Sequence, residues 1–325
     1  MNLSHKFTIF NSADYKDGTN DNDGYYTICL NDLKGNSNIN IIGGPMPEMP
    51  KYIFIGISLI RRLKLPLSLI RPFIRKKHKL DNHCVLLIRI FDIAYLTWLR
   101  YKYPKSIFVL FLRDLYETKQ PYVGLYKKYN LIDIWGSYDE NEYKKYHMDF
   151  YYPEIESKLD FSHLDLKTTI DVFFAGAAKN RYSQLLKAYD YLTSHGIKCH
   201  FVIMDVKDCD RLERDGIEYT NDLIPYREML LYSLQCKCLL EINQENAVGN
   251  TSRLLEAIMY NKKLITNNKS ARNIKFYNPN YVRIFNDITE IKPDFILNEN
   301  EVDYGYNNEF SPTGLIQRVD ELLIS

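Results

Sequence analysis

Two short stretches place cations and small residues where phosphate oxygens could sit. The first, FFAGAAKNR, sets Gly176 behind an apolar run, with Lys179 and Arg181 close after it. Small residues let a backbone approach a phosphate, and the cations neutralise it. The second, residues 237–267, reads as strand, loop, helix, strand. An apolar run from Cys238 to Ile242 is followed by a polar loop, Asn243 to Gly249. Asn250 or Thr251 can cap the helix, whose Leu254, Leu255, Ile258 and Met259 fall at helical spacing. Arg253 and Glu256 lie one turn apart on one side of it. A helix N-terminus carrying an Arg suits an anion. Strand-end loops of one α/β domain share one edge of the sheet, so the two could grip one diphosphate. Glu256 could then accept hydrogen bonds from a ribose.

The elements that must position these residues alternate in two series. The first has strands at Lys6–Phe10, Asn38–Ile42, Val85–Phe91, Ser106–Leu112 and Ile132–Trp135. Helices fall at Tyr25–Leu33 and Asp92–Tyr103, with a turn and polar helix over Gly136–Tyr146. Periodicity is lost from Phe150 to Lys167. The second has strands at Thr169–Phe174, Lys198–Met204, Cys238–Ile242, Lys263–Thr266 and Val282–Phe285. Its helices are Tyr182–Ser194, Pro225–Leu234, the one opening near Asn250 and a C-terminal Thr313–Leu323. Such alternation favours mostly parallel sheets. The expectation is an α/β protein of two Rossmann-like domains facing a central cleft. The domains would be 1–155 and 169–325, joined by a linker over 156–168, with the last helix able to pack back on the N-terminal domain.

Bulk composition narrows the function. With 42 basic and 41 acidic residues in 325, the chain lacks the excess charge of a nucleic-acid binder. Its six cysteines form no CxxC pair and have no His partners at zinc spacing. No Ser-His-Asp, HExxH or P-loop pattern is present. The loop from Asn11 to Gly24 carries Asp14, Asp17, Asp21 and Asp23, but a calcium loop centred on Gly24 would need carboxylates at Thr19 and Leu30. No signal peptide is apparent, and no apolar run approaches the roughly 20 residues of a membrane span. The expected location is cytoplasmic, with peripheral contact to the inner membrane face. That contact would come from Leu59 to Leu80, which holds eight Lys or Arg residues and no acid. Apolar residues alternate there with Arg61, Arg62, Arg71, Arg75, Lys76 and Lys77, the composition of a surface-lying amphipathic segment.

The run LEAIMYNKKLIT, residues 255–266, resembles the second half of the nucleotide-sugar motif of GT-B glycosyltransferases. The wider pattern is similar to a family from capsule, exopolysaccharide and lipopolysaccharide clusters. It includes Gly249, Thr251, Arg253, Glu256, the run from Lys262 to Asn268, and Phe276-Tyr277. Asp133 to Asp139, Lys144 to Tyr146 and Tyr152-Pro153 resemble that family's end of the first domain. The resemblance implies a GT-B fold, a nucleotide-sugar in the C-terminal domain, an acceptor in the N-terminal one, and transfer with no essential metal or other cofactor. It implies a ribose held by Glu256 and a diphosphate held by Gly176, Lys179 and Arg253. Retaining members of the commonest bacterial type carry another Glu eight residues earlier. Here that position is Val248, with Glu245 out of register. An inverting transfer would need a base from the first domain. Asp114, at a strand end, is the first choice and Asp14 the reserve.

The expected activity is transfer of a sugar to a lipid-linked saccharide in bacterial surface polysaccharide synthesis. Three alternatives stand beside it. Asp208-Cys209-Asp210 could serve a metal-dependent GT-A enzyme. A CDP donor could supply a polyol phosphate instead of a sugar. A non-catalytic GT-B subunit could position a true transferase. Arg253→Ala is expected to weaken nucleotide affinity without unfolding the protein.

Overall fold

The computed structural model describes residues 2–10, 25–42, 49–75, 83–88, 90–113, 116–222, 224–243 and 250–324. The chain divides into two compact units. The first comprises Met1–Asn22, Cys29–Ile155 and Ser311–Ser325, so the C-terminal helix Pro312–Ile324 belongs to it. The second comprises Asp23–Ile28 and Glu156–Phe310, so helix α1 (Tyr25–Ile28) and the whole stretch 156–168 count with it. The single helix expected over Tyr25–Leu33 is therefore two pieces, α1 and a 3₁₀ turn at Asn31–Leu33 in the first unit. Asn31 and Asp32 favour local backbone bonds over a helix interior.

The first unit is built on six parallel strands: β1 (Phe7–Phe10), β2 (Ile39–Ile42), β3 (Cys84–Leu87), β4 (Ile107–Leu112), β5 (Ile134–Ser137) and β6 (Phe150–Tyr151). Their order is β2-β1-β3-β4-β5-β6, so the chain reverses direction across the sheet between β1 and β3. Helices α2 (Lys51–Arg62), α3 (Ile93–Lys102), α4 (Tyr116–Lys128) and α5 (Glu140–Lys145) connect them. The sequence reading has no counterpart to α4, whose Pro121 and Gly124 weaken its helical pattern. Its Val123 and Tyr126 are fully buried, and Tyr126 accepts a hydrogen bond from the Phe91 N–H at 2.8 Å.

The residues behind the family resemblance in this half hold the fold together. Asp133 accepts from Arg100 and from the Phe108 N–H, both at 2.8 Å, which ties β5 to β4. Gly136 is obligatory because a Cβ there would collide with the Phe150 ring on β6. Asp139 caps α5 through the Glu142 N–H at 2.9 Å, and Glu142 in turn accepts the Tyr116 N–H at 2.8 Å.

The second unit carries β7 (Ile170–Ala177), α6 (Tyr182–Ser194), β8 (Cys199–Met204), β9 (Ile217–Thr220), α7 (Tyr226–Leu234), β10 (Cys236–Glu241), α8 (Ser252–Met259), β11 (Lys263–Thr266), β12 (Val282–Ile284) and α9 (Pro293–Leu297). All six strands are parallel, in the order β12-β11-β10-β7-β8-β9. That is the doubly wound nucleotide-binding order, with its switch point between β7 and β10. The edge strand β9 and the short α9 escape sequence reading; β9 follows a charged stretch and is only half-buried. Both faces of this sheet are covered. One packs Phe174, Leu185 and Phe201, the other Phe173, Leu239 and Leu254, all at most 3% exposed. The strands consequently read as apolar runs rather than alternating ones.

Candidate functional site

In an open parallel sheet a ligand sits outside the carboxyl ends of the strands at the switch point. In the second unit those ends are Ala177 on β7 and Glu241 on β10. Arg181 bridges them. Its Nε and Nη2 donate to the Ala177 carbonyl at 3.1 and 3.0 Å, and its Nη1 donates to the Ile242 carbonyl. A guanidinium has five N–H groups, so two remain without a partner among the described residues. Burial pushes the Arg181 pKa down from its usual value, and Glu241 opposes that shift. Gly176 makes room for this side chain, since a Cβ there would lie 2.9 Å from Arg181 Nη2. The space expected for a phosphate at Gly176 is therefore occupied by Arg181.

Helix α8 opens beside the same switch point. Thr251 is its N-cap, in extended conformation, and its Oγ1 accepts the Leu254 N–H at 3.3 Å. The Thr251 hydroxyl donates to Glu241, and so does the Thr266 hydroxyl from the end of β11. The N–H groups of Ser252 and Arg253 have no acceptor among the described residues. They point the positive end of the helix at the strand ends. Asn250 is half-buried just ahead of them, and Lys179 is exposed on the turn after β7. Gly249 lies outside the described residues, as do Asp14 and Asp114.

Two expectations about this helix are corrected. Arg253 does not face solvent. Its side chain is 10% exposed, and Nη1 donates to Glu256 Oε2 at 2.5 Å and to Ser233 Oγ at 2.9 Å. Its Nη2 reaches the Ala175 carbonyl at 3.4 Å. Glu256 is 1% exposed, and its other oxygen accepts from the buried Tyr226 hydroxyl at 2.9 Å. At that burial neither carboxylate oxygen is presented to a ribose. The cause is α7, which supplies both Tyr226 and Ser233 and covers the side of α8 that the helical spacing left open.

Glu241 is the residue that sequence reading passed over. It lies inside the apolar run from Cys238 to Ile242, where a carboxylate is itself the signal. Burial raises its pKa above the ordinary 4.5, while the two threonines, Arg253 and Arg181 pull it down. A raised folded value stabilises the protein below the unfolded pKa, and that contribution is lost as pH rises through the folded pKa. The second unit is thus expected to gain stability from Glu241 as pH falls through its folded pKa toward the ordinary 4.5. Glu241→Gln should remove part of that gain, read from urea midpoints across pH; an unchanged slope would refute the burial argument.

Other parts of the pattern lie elsewhere. Lys262 and Lys263 sit at the amino ends of the strands. Lys262 Nζ donates to the Leu234 and Cys236 carbonyls at 2.6 and 2.9 Å, and Lys263 Nζ to Asn298 Oδ1 at 2.6 Å. The groove lined by Asn280, Arg283, Lys292 and Asp294 flanks β12, away from the switch point. Asp208 is exposed and pairs with Arg211 at 2.9 Å. Among the described residues no group of three or more His, Cys, Asp or Glu could hold a metal ion.

The sequence matches no protein-family model, and no curated protein matches it. Solved structures do match across almost the whole chain. Staphylococcus aureus MnaA in its UDP co-structure aligns with TM-score 0.53 at 12% identity, covering 98% of this chain and 97% of that one. The fold is GT-B. A Listeria monocytogenes protein described as a candidate UDP-N-acetylglucosamine 2-epimerase aligns with TM-score 0.52 at 9% identity, covering 98% and 97%. An α-glucosyltransferase in complex with UDP-glucose and DNA aligns with TM-score 0.50 at 12% identity, covering 97% and 90%. Identities this low establish the GT-B architecture and nothing finer. The metal-dependent GT-A alternative, resting on Asp208 and Asp210, loses its ground.

Proposed function

We propose that the chain is a glycosyltransferase that binds a nucleotide-sugar at the switch point of its second unit. One observation carries this reading. The N–H groups of Ser252 and Arg253, which have no acceptor among the described residues, gather positive charge at neighbouring strand ends with the exposed Lys179 and the half-exposed Arg181. That arrangement suits the diphosphate of a sugar nucleotide. Arg253 and Glu256 then act from beneath, fixing α8, while Lys179 and Arg181 face the ligand. The transfer would be completed by a base from the first unit, with Asp114 the proposed residue and Asp14 the alternative. The acceptor in this reading is a lipid-linked saccharide of a surface polysaccharide.

A thermal-shift screen against UDP, GDP, CDP, CMP and their sugars tests the donor site, because a bound ligand stabilises by mass action. Nucleoside diphosphates should raise the melting temperature. Lys179→Ala should weaken their binding about 10- to 100-fold, the loss of one charge-assisted bond, with the unliganded melting temperature unchanged. No response to any nucleotide, or undiminished affinity in the variant, refutes the assignment. Epimerisation of the bound sugar without any acceptor would replace transfer by isomerisation. Response to CDP-polyols alone would point to polyol-phosphate transfer, and turnover only with a second protein to a supporting subunit.

A further inference from the structure

The first unit presents a surface that none of this chemistry uses. Helix α2 and the 3₁₀ helix Leu67–Phe73 pack against each other at Gly56, where a Cβ would lie 2.7 Å from Ile70 Cδ1. Lys64 turns the chain between them with a φ of 56°, and the Leu65 N–H closes the end of α2 on the Ile60 carbonyl at 2.9 Å. The inward row is Ile53, Ile57, Leu67, Ile70 and Ile74, each at most 5% exposed. One apolar row is enough to seat an amphipathic helix.

A second apolar set points the other way. Leu63 is 65% exposed, Phe73 64%, Tyr52 63%, Ile55 56%, Leu59 51% and Phe54 48%. Large apolar side chains grouped on one elbow at these exposures exceed the scattered ones of an ordinary surface. Basic residues are interleaved with them: Lys51, Arg61, Arg62, Lys64, Arg71 and Arg75. No acid occurs from Met49 to Leu80. Lys76 and Lys77, expected to join this set, lie outside the described residues.

We propose that this elbow, residues 51–75, inserts its outward apolar side chains into an anionic lipid surface. The charge is complementary along the whole segment. Arg and Lys stems can lie along the apolar layer while their heads reach phosphates. A lipid surface also demands no matching contour, whereas a protein partner would have to neutralise six cations without one acid on this side. The elbow shares no residue with the nucleotide site, so lipid binding and nucleotide binding are read by separate measurements.

Co-sedimentation with vesicles of phosphatidylglycerol and phosphatidylcholine, against phosphatidylcholine alone, tests the surface. Binding should require the anionic lipid and weaken as salt rises. Arg61→Glu with Arg62→Glu should lower vesicle affinity roughly 30-fold or more. Leu63→Asp with Phe73→Asp should lower it at least about ten-fold. Arg62, Leu63 and Phe73 are exposed and Arg61 is half-exposed, so circular dichroism should be unchanged. Phe73→Trp should shift its emission to the blue on anionic vesicles and be quenched by brominated acyl chains. Absence of binding, or equal binding to neutral vesicles at all salt concentrations, overturns the assignment. So does self-association by sedimentation that the Leu63 and Phe73 changes abolish while leaving vesicle binding intact, since the elbow would then cover a second copy of this chain.

Discussion

Arg253→Ala is expected to destabilise the second unit by about 3–5 kcal/mol, the usual cost of removing one partner of a buried ion pair. The guanidinium and carboxylate are 10% and 2% exposed, so solvent cannot replace the lost contact. What remains is a buried Glu256 carboxylate held by the Tyr226 and Ser233 hydroxyls alone. Burial already pushes the Glu256 pKa above its ordinary 4.5, with Arg253 pulling it down. Removing Arg253 lets it rise further. A carboxylate with a raised folded pKa contributes stability below its unfolded value and loses it as pH rises through the folded one. The deficit of the variant should therefore be largest above that folded pKa and shrink as pH falls through it toward 4.5. Urea unfolding of variant and parent across pH checks both size and sign. A variant as stable as the parent, with only nucleotide affinity reduced, would restore Arg253 to the phosphate-binding role expected from the sequence. Glu256→Gln should be costly too, because it leaves the buried Arg253 guanidinium without its carboxylate, although the amide oxygen can still accept one hydrogen bond.

In the first unit the corresponding liability is Glu154. Its Oε1 accepts from Arg113 Nε at 2.5 Å, and the two side chains are 7% and 4% exposed. Arg113 closes the carboxyl end of β4 and also reaches the Ile155 carbonyl at 3.2 Å and Cys29 Sγ at 3.1 Å. Glu154→Ala removes one partner of a buried ion pair, so a loss of about 3–5 kcal/mol is expected. Arg113→Met with Glu154→Leu removes both charges and should recover most of that loss. A double variant no better than the single would mean that the Cys29 and Ile155 contacts, not the charge, dominate. The chain has two compact units, so each effect should be read on its own unfolding transition rather than as one global value.

Much of the architecture was legible. The apolar runs 106–112, 198–204 and 263–266 are strands because six-stranded parallel sheets bury most positions of their inner strands. Helix α6 falls on Tyr182–Ser194 as read, ended near Gly196 with its φ of 75°. Thr251 caps α8 because its hydroxyl meets the Leu254 N–H, an interaction within four residues. Elements set by weak or distant signals were missed. Helix α4 carries Pro and Gly, β9 is an edge strand after a charged loop, and α9 is five residues long.

The site divides along the same line. Sequence alone determined that cations follow β7 and that a capped helix follows β10, because strand runs, caps and helical spacing are local. It also determined that Arg253 and Glu256 share one side of α8. It could not say whether that side meets water, since the answer lies in Tyr226 and Ser233 on α7, a different element packed against it. Only the tertiary structure turned Arg253 and Glu256 inward, filled the space over Gly176 with Arg181, and placed Glu241 between two threonines. Burial is decided by what packs from elsewhere in the chain, and the same physics left the apolar side chains of Leu63 and Phe73 uncovered.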